Sequence, residues 1–129
     1  RIKFIKINFI YMYKLKVYSL EGCPYSMNAE SLLNNNSIEF DLIKVSHDEK
    51  DHYKQKNKMN TFPQIFLETN KETVKIGGYN ELNNVFNLIN DNASFDNMLK
   101  DLKNKLSFEN SFNEKKNILR TISILLKKN

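Results

Sequence analysis

The sequence predicts a single α/β domain of element order βαβαββα, followed by two further helices. Three observations predict it. The chain has 129 residues, the size of one ordinary core, which excludes an enzyme with separate cofactor and substrate domains. Short alternating runs rich in β-branched and aromatic residues interleave with segments whose apolar residues recur at helical spacing. Apolar residues make up 40% and aromatic residues 12% of the chain, including nine Phe and six Tyr, enough to fill such a core. No run approaches the roughly 18 apolar residues that span a bilayer, so no membrane partner is expected.

The elements follow in order. Residues 1–12, RIKFIKINFIYM, are β-prone and basic. They are read as an N-terminal extension, translated upstream of a start at Met12 or forming an extra edge strand; Lys6 and Asn8 break the apolar stretch that an export signal needs. From Lys14 to Ser19 the pattern is that of a strand. Glu21-Gly22 turns the chain, and Pro24 suits the first position of a helix, where the missing N–H would have had no intrahelical partner. Cys23 therefore stands at a helix N-terminus. Met27, Leu32 and Leu33 give this helix its inward face, and Asn34-Asn35-Asn36 ends it with residues that tolerate left-handed backbone.

Ile38 to Val45 reads as a second strand. Ser46-His47-Asp48-Glu49 supplies capping chemistry for a charged helix running to about Lys58. A third strand covers Gln64 to Leu67, Asn70-Lys71 turns, and a fourth covers Thr73 to Ile76. Gly77-Gly78 interrupts the pattern before a helix from Tyr79 to Asn90, with Leu82, Val85, Phe86 and Ile89 on one face. Beyond Asn92, Phe95, Met98, Leu99, Leu102 and Leu106 mark one helical stripe, and Ile118, Leu119, Ile122, Leu125 and Leu126 another. The organisation is thus residues 1–12 as an extension, 13–92 as the domain, and 93–129 as a helical addition whose apolar faces pack on or beside it.

Charge and cysteine usage narrow the function. Twenty basic against fifteen acidic residues give +5. Residues 13–92 carry nine basic against eleven acidic groups, however, and the excess lies in the terminal segments. With no nucleic-acid module and only two Arg, Arg1 and Arg120, that excess reads as a solvated face, and no nucleic-acid partner is expected. Cys23 is the single cysteine. It excludes an internal disulfide and any all-cysteine metal site built by one chain. A thiol at a helix N-terminus has the positive dipole end and the free N–H groups of Tyr25 and Ser26 to favour its anionic form, which makes Cys23 the candidate nucleophile. A buried structural cysteine is the alternative, and the exposed turn made by Gly22 and Pro24 argues against it. Ser26, three residues on, is expected to point its hydroxyl toward the same sulfur. His47 and His52, on the charged second helix, are disfavoured as a partner for the thiol or as metal ligands.

Three motifs in order, Cys23-Pro24-Tyr25-Ser26, Thr61-Phe62-Pro63 and Gly77-Gly78-Tyr79-Asn80-Glu81, resemble those of the glutaredoxin family over about Lys14 to Asn90. The resemblance implies a thioredoxin-like four-stranded mixed sheet flanked by helices, with the C-terminal helices as an extension. It implies a cytoplasmic, monomeric glutathione-disulfide oxidoreductase of redox homeostasis, with glutathione as co-substrate and glutathionylated proteins or small disulfides as partners. Because position 26 is Ser, the resolving thiol must come from solution, which is the monothiol route with Cys23 and Ser26 as the catalytic pair. The glutathione site implied is Tyr25, Lys50, Thr61, Phe62, Pro63, Gly78, Tyr79, Asn80 and Glu81. Phe62-Pro63 matches a cis-proline element that docks the cysteinyl unit, and the helix start at Tyr79–Glu81 offers N–H groups to the γ-glutamyl carboxylate.

The sequence also departs from the family. Leu20 stands where a Lys or Arg usually precedes the nucleophile, and Lys14 or Lys16 is expected to compensate. Phe62 replaces a smaller Val. Asn80 and Glu81 replace an Asp pair at the place that would receive the glutamyl ammonium group. Two rival readings remain. One is a 2Fe-2S cluster held between two chains by Cys23-type thiolates and glutathione, disfavoured by Pro24 and Tyr25. The other is a non-enzymatic adaptor with this fold.

Overall fold

The computed structural model describes residues 13–70, 72–92, 94–105 and 111–127. Residues 1–12, including the expected extra strand and Met12, lie outside the described residues, as does Leu106. Four strands form, β1 (Lys14–Leu20), β2 (Phe40–Val45), β3 (Gln64–Glu68) and β4 (Thr73–Gly77). The helices are α1 (Pro24–Asn35), α2 (Lys50–Asn57), α3 (Tyr79–Asp91), α4 (Phe95–Lys105) and α5 (Phe112–Lys127). Sheet order is β2-β1-β3-β4, with β1 parallel to β2 and antiparallel to β3, and β3 antiparallel to β4. This is the thioredoxin-like mixed sheet.

Side chains alternate across the sheet and separate two cores. Leu15 and Val17 of β1, Ile65 and Leu67 of β3, and Val74 and Ile76 of β4 point to one face. There they meet Ala29 and Leu33 of α1 and Leu82, Val85, Phe86 and Leu88 of α3. Met98 of α4 and Ile118, Leu119 and Ile122 of α5 belong to the same cluster, so the C-terminal helices cover the sheet domain rather than standing apart from it. On the other face Tyr18, Val45, Phe62 and Phe66 form a smaller, aromatic core, against which Leu20, Cys23, Ile43, Tyr53 and Met59 pack. The Tyr18 ring lies 5.2 Å from Tyr53 and edge-on to Phe66 at 5.9 Å. Among the described residues, no helix is long and apolar enough to cross a membrane.

Four local expectations are corrected. Met27 does not face inward: it is 60% exposed, and the buried positions of α1 are Ser26, Ala29 and Leu33, spaced i, i+3 and i+7. The left-handed residue after α1 is Ser37, at φ 56°, not one of the three asparagines. Its N–H donates to the Asn34 carbonyl at 3.0 Å, while the Ile38 N–H donates to the Leu33 carbonyl at 3.0 Å. That is a Schellman closure with its usual apolar contact, since Ile38 and Leu33 share the main core. Ile38 is therefore spent on ending α1, and β2 begins at Phe40. The charged segment after β2 divides into a 3-10 turn, His47–Glu49, and α2. Its start is fixed by Glu49 Oε1, which accepts from the Ser46 N–H at 3.1 Å and the Ser46 hydroxyl at 3.0 Å.

Candidate active site

The end of β1 and the start of α1 place the thiol. Gly22 takes φ 76°, a left-handed turn conformation; a Cβ there would touch nothing, so the backbone angle alone calls for glycine. The Cys23 N–H donates to the Leu20 carbonyl at 3.1 Å, closing the turn, and the Cys23 carbonyl accepts from the Met27 N–H at 3.1 Å, opening the helix. Cys23 is the N-cap residue, with extended backbone, and Pro24 is at N1. Its thiol is free and half-buried. Among the described residues, the Tyr25 and Ser26 N–H groups have no acceptor, as expected of a helix's first turn.

Phe62-Pro63 is a cis peptide and lies beside this turn. The Cys23 thiol points at the Phe62 carbonyl at 3.7 Å. Phe62 itself is buried in the aromatic core and Pro63 is buried, whereas Thr61 is exposed. The third wall is the start of α3. Gly77 has φ 129°, again a conformation that favours glycine. The Gly78 N–H donates to Glu81 Oε1 at 2.6 Å. Tyr79, half-buried, opens α3, and its ring lies 6.4 Å from that of Tyr25, which is 58% exposed. Asn80 is exposed and Glu81 half-buried. The N-termini of α1 and α3 thus meet through an aromatic pair, with the thiol and the Phe62 carbonyl at the α1 end and the Pro63 carbonyl near Gly78 at the α3 end.

Several expected residues do otherwise. Ser26 is fully buried and its hydroxyl oxygen accepts from the Leu20 N–H at 3.1 Å. It makes no hydrogen bond to the Cys23 sulfur, because the last N–H of β1 needs an acceptor and the hydroxyl supplies it. Lys14 and Lys16 do not compensate for Leu20. Their ammonium groups pair with Asp41 at 3.1 Å and Glu68 at 3.2 Å. Lys16 precedes Leu20 by four residues, about 13 Å along a strand at ~3.3 Å per residue, so both lie toward the far end of β1. Burial works against the charge on Lys16, but the Glu68 hydrogen bond and nearby negative groups outweigh it and raise its pKa. Lys50 opens α2 and is half-buried. His47 and His52 are exposed, and no group of three or more His, Cys, Asp or Glu that could hold a metal occurs among the described residues.

Similarity to known proteins follows this geometry. The family model described as Glutaredoxin matches residues 15–71, which include the thiol turn and Pro63. Glutaredoxin 1 of Rickettsia typhi is 32% identical over 78 residues, covering 57% of this chain and 71% of the relative. Glutaredoxin 1 of Rickettsia prowazekii is 30% identical over 78 residues, covering 57% and 78%. The chain belongs to the glutaredoxin family. Among solved structures, glutaredoxin 1 from Francisella tularensis, complexed with cacodylate, matches with a TM-score of 0.52 and 26% identity, over 62% of this chain and 99% of that one. Family membership assigns thiol–disulfide oxidoreductase activity to this glutaredoxin.

Two features of the site were not foreseen from sequence. One is the Phe62 carbonyl as the partner of the thiol, and the other is the aromatic wall of Tyr18, Tyr53 and Phe66 behind it. The second had a signal: Tyr18 and Phe66 sit on alternate positions from the main-core residues of their strands, and so had to cover the opposite face.

Proposed function

We propose that this glutaredoxin reduces mixed disulfides of glutathione by a monothiol route, with Cys23 as the nucleophile. The observation that carries the reading is the position of the chain's single cysteine: half-buried, free, at the N-cap of α1 and within 3.7 Å of the carbonyl that precedes Pro63.

The steps balance as two thiol–disulfide exchanges. The Cys23 thiolate attacks the glutathione sulfur of a mixed disulfide, forming a Cys23–glutathione disulfide and releasing the substrate thiolate, which takes a proton from water. A glutathione thiolate then attacks the glutathione sulfur of that adduct, giving glutathione disulfide and restoring the Cys23 thiolate. No second thiol exists in the chain to divert the adduct, and Ser26 offers only a hydroxyl.

The protein's contribution is positioning and charge. The unpaired N–H groups of Tyr25 and Ser26 stabilise anionic sulfur at this place in both steps. In the reading proposed, Phe62-Pro63 docks the cysteinyl unit, Tyr25 and Tyr79 flank it, and the unpaired N–H groups of Tyr79 and Asn80 take the γ-glutamyl carboxylate. In the same reading Lys50 meets the glycine carboxylate, and Thr61 borders the site beside Phe62. Glutathionylated proteins and small glutathione disulfides are the substrates.

The test is turnover of a glutathionylated peptide in the presence of glutathione. Cys23→Ser is expected to lower the rate to that of the uncatalysed exchange. A rate matching the unsubstituted protein would overturn the proposal.

A further inference from the structure

We propose that Glu81 is a specificity residue which competes with an incoming carboxylate for the start of α3, and so sets the charge this site accepts at the end remote from Cys23. The inference rests on the glutathione reading above and adds to it a discrimination that reading does not contain.

The family resemblance places an acidic side chain here to meet an ammonium group. The geometry gives Glu81 a different partner. Its Oε1 accepts from the Gly78 N–H at 2.6 Å, a short, charge-assisted bond. The side chain is folded back over the two glycines. A Cβ on Gly77 would fall 2.7 Å from Glu81 Cγ and 2.8 Å from Oε1. A Cβ on Gly78 would fall 3.4 Å from Oε1 and 3.6 Å from the Pro63 carbonyl oxygen. The carboxylate therefore fills the space that these glycines would open to a ligand, and it does so beside the slot's proline.

Two consequences follow. A carboxylate brought to this end finds one backbone N–H already bonded, leaving those of Tyr79 and Asn80. It also approaches a fixed negative charge that cancels part of the positive end of α3. Nor does the thiol end restore the balance, since Leu20 is apolar, Glu21 is exposed next to it, and Lys14 and Lys16 are paired elsewhere. Lys50, which the glutathione reading assigns to the glycine carboxylate, serves the other end of the tripeptide, so the α3 end relies on backbone N–H groups alone to receive a carboxylate. An ammonium at the same end meets no such conflict.

The test uses two glutathione derivatives as mixed disulfides with 2-mercaptoethanol. One is acetylated on the γ-glutamyl nitrogen and keeps only the carboxylate at that end. The other carries an amide in place of the γ-glutamyl α-carboxylate and keeps only the ammonium. Glu81→Gln retains an oxygen acceptor for the Gly78 N–H, and an unchanged circular dichroism spectrum at the assay temperature checks that the fold is kept. The variant is expected to lower KM for the acetylated substrate about twofold to fivefold, from the usual strength of charges at helix ends. KM for the amide is expected not to fall. Raising the ionic strength should lower KM for the acetylated substrate in the unsubstituted protein, by screening the same repulsion. A KM for the acetylated substrate that stays constant or rises in Glu81→Gln would overturn the inference. Failure of the glutathione reading itself would show separately, as turnover that survives Cys23→Ser.

Discussion

At the scale of single residues, the division of labour between Cys23 and Ser26 decides what chemistry is open to the chain. A second thiol at position 26 would lie in the same turn as Cys23, but the residue there is a buried hydroxyl committed to the Leu20 N–H. Removing it orphans a backbone donor at the end of β1. Ser26→Ala is expected to cost about 1–3 kcal/mol of stability, the usual penalty for a buried polar group left unpaired. Urea unfolding monitored by circular dichroism measures this, and an unchanged midpoint would show that water replaces the hydroxyl. The place of Cys23 was legible in the sequence because Gly22 and Pro24 punctuate the chain on either side of it. The direction of the Ser26 side chain was not. A hydroxyl three residues beyond a sulfur can turn to it or to a backbone group, and only the strand end, with its N–H in need of an acceptor, settles the choice.

At the scale of elements, period and punctuation carried most of the reading. β1, β3, β4 and α3 emerged close to their expected bounds because alternating or helical apolar spacing coincides there with Gly, Pro or Asn at the ends. Ile38 shows where that reasoning fails. It is apolar and buried, and it precedes β2, yet its N–H closes α1 rather than joining the sheet. A Schellman motif and a strand start make the same demand for an apolar residue, and sequence spacing does not separate them. Met27 fails for another reason. The inward stripe of α1 is narrow because two of its members, Ser26 and Ala29, are small, so an apolar-only count drew the face through the wrong residue. In the site, the three motifs were legible but the Glu81 to Gly78 bond was not, since it depends on how the side chain folds over Gly77.

At the scale of the whole molecule, the C-terminal helices belong to the same apolar cluster as the sheet. Ile118, Leu119 and Ile122 are fully buried in the cluster that also holds residues of β1, β3, β4, α1 and α3, and α5 itself lies against α3 and α4. Arg120 adds a tie between helices, its guanidinium lying 5.4 Å from the Phe95 ring of α4. Apolar stripes of this strength need a partner, and here Met98, Ile118, Leu119 and Ile122 share the apolar cluster of the sheet. Ile122→Ala is accordingly expected to destabilise the protein by about 2–5 kcal/mol, the range for truncating a buried Ile. Because one core is shared, urea unfolding should remain a single transition, with the sheet and the C-terminal helices lost together. Two separate transitions would mean that α4 and α5 fold as an independent unit.

In the proposed mechanism one sulfur, that of Cys23, carries the exchange and is freed by a thiol from solution. Mixing the protein with a glutathione mixed disulfide in the absence of free glutathione tests it most directly. One equivalent of the leaving thiol should appear, and mass spectrometry should locate a single glutathionyl group on Cys23 that free glutathione then removes. Release of the leaving thiol with Cys23 unmodified would rule out Cys23 as the nucleophile.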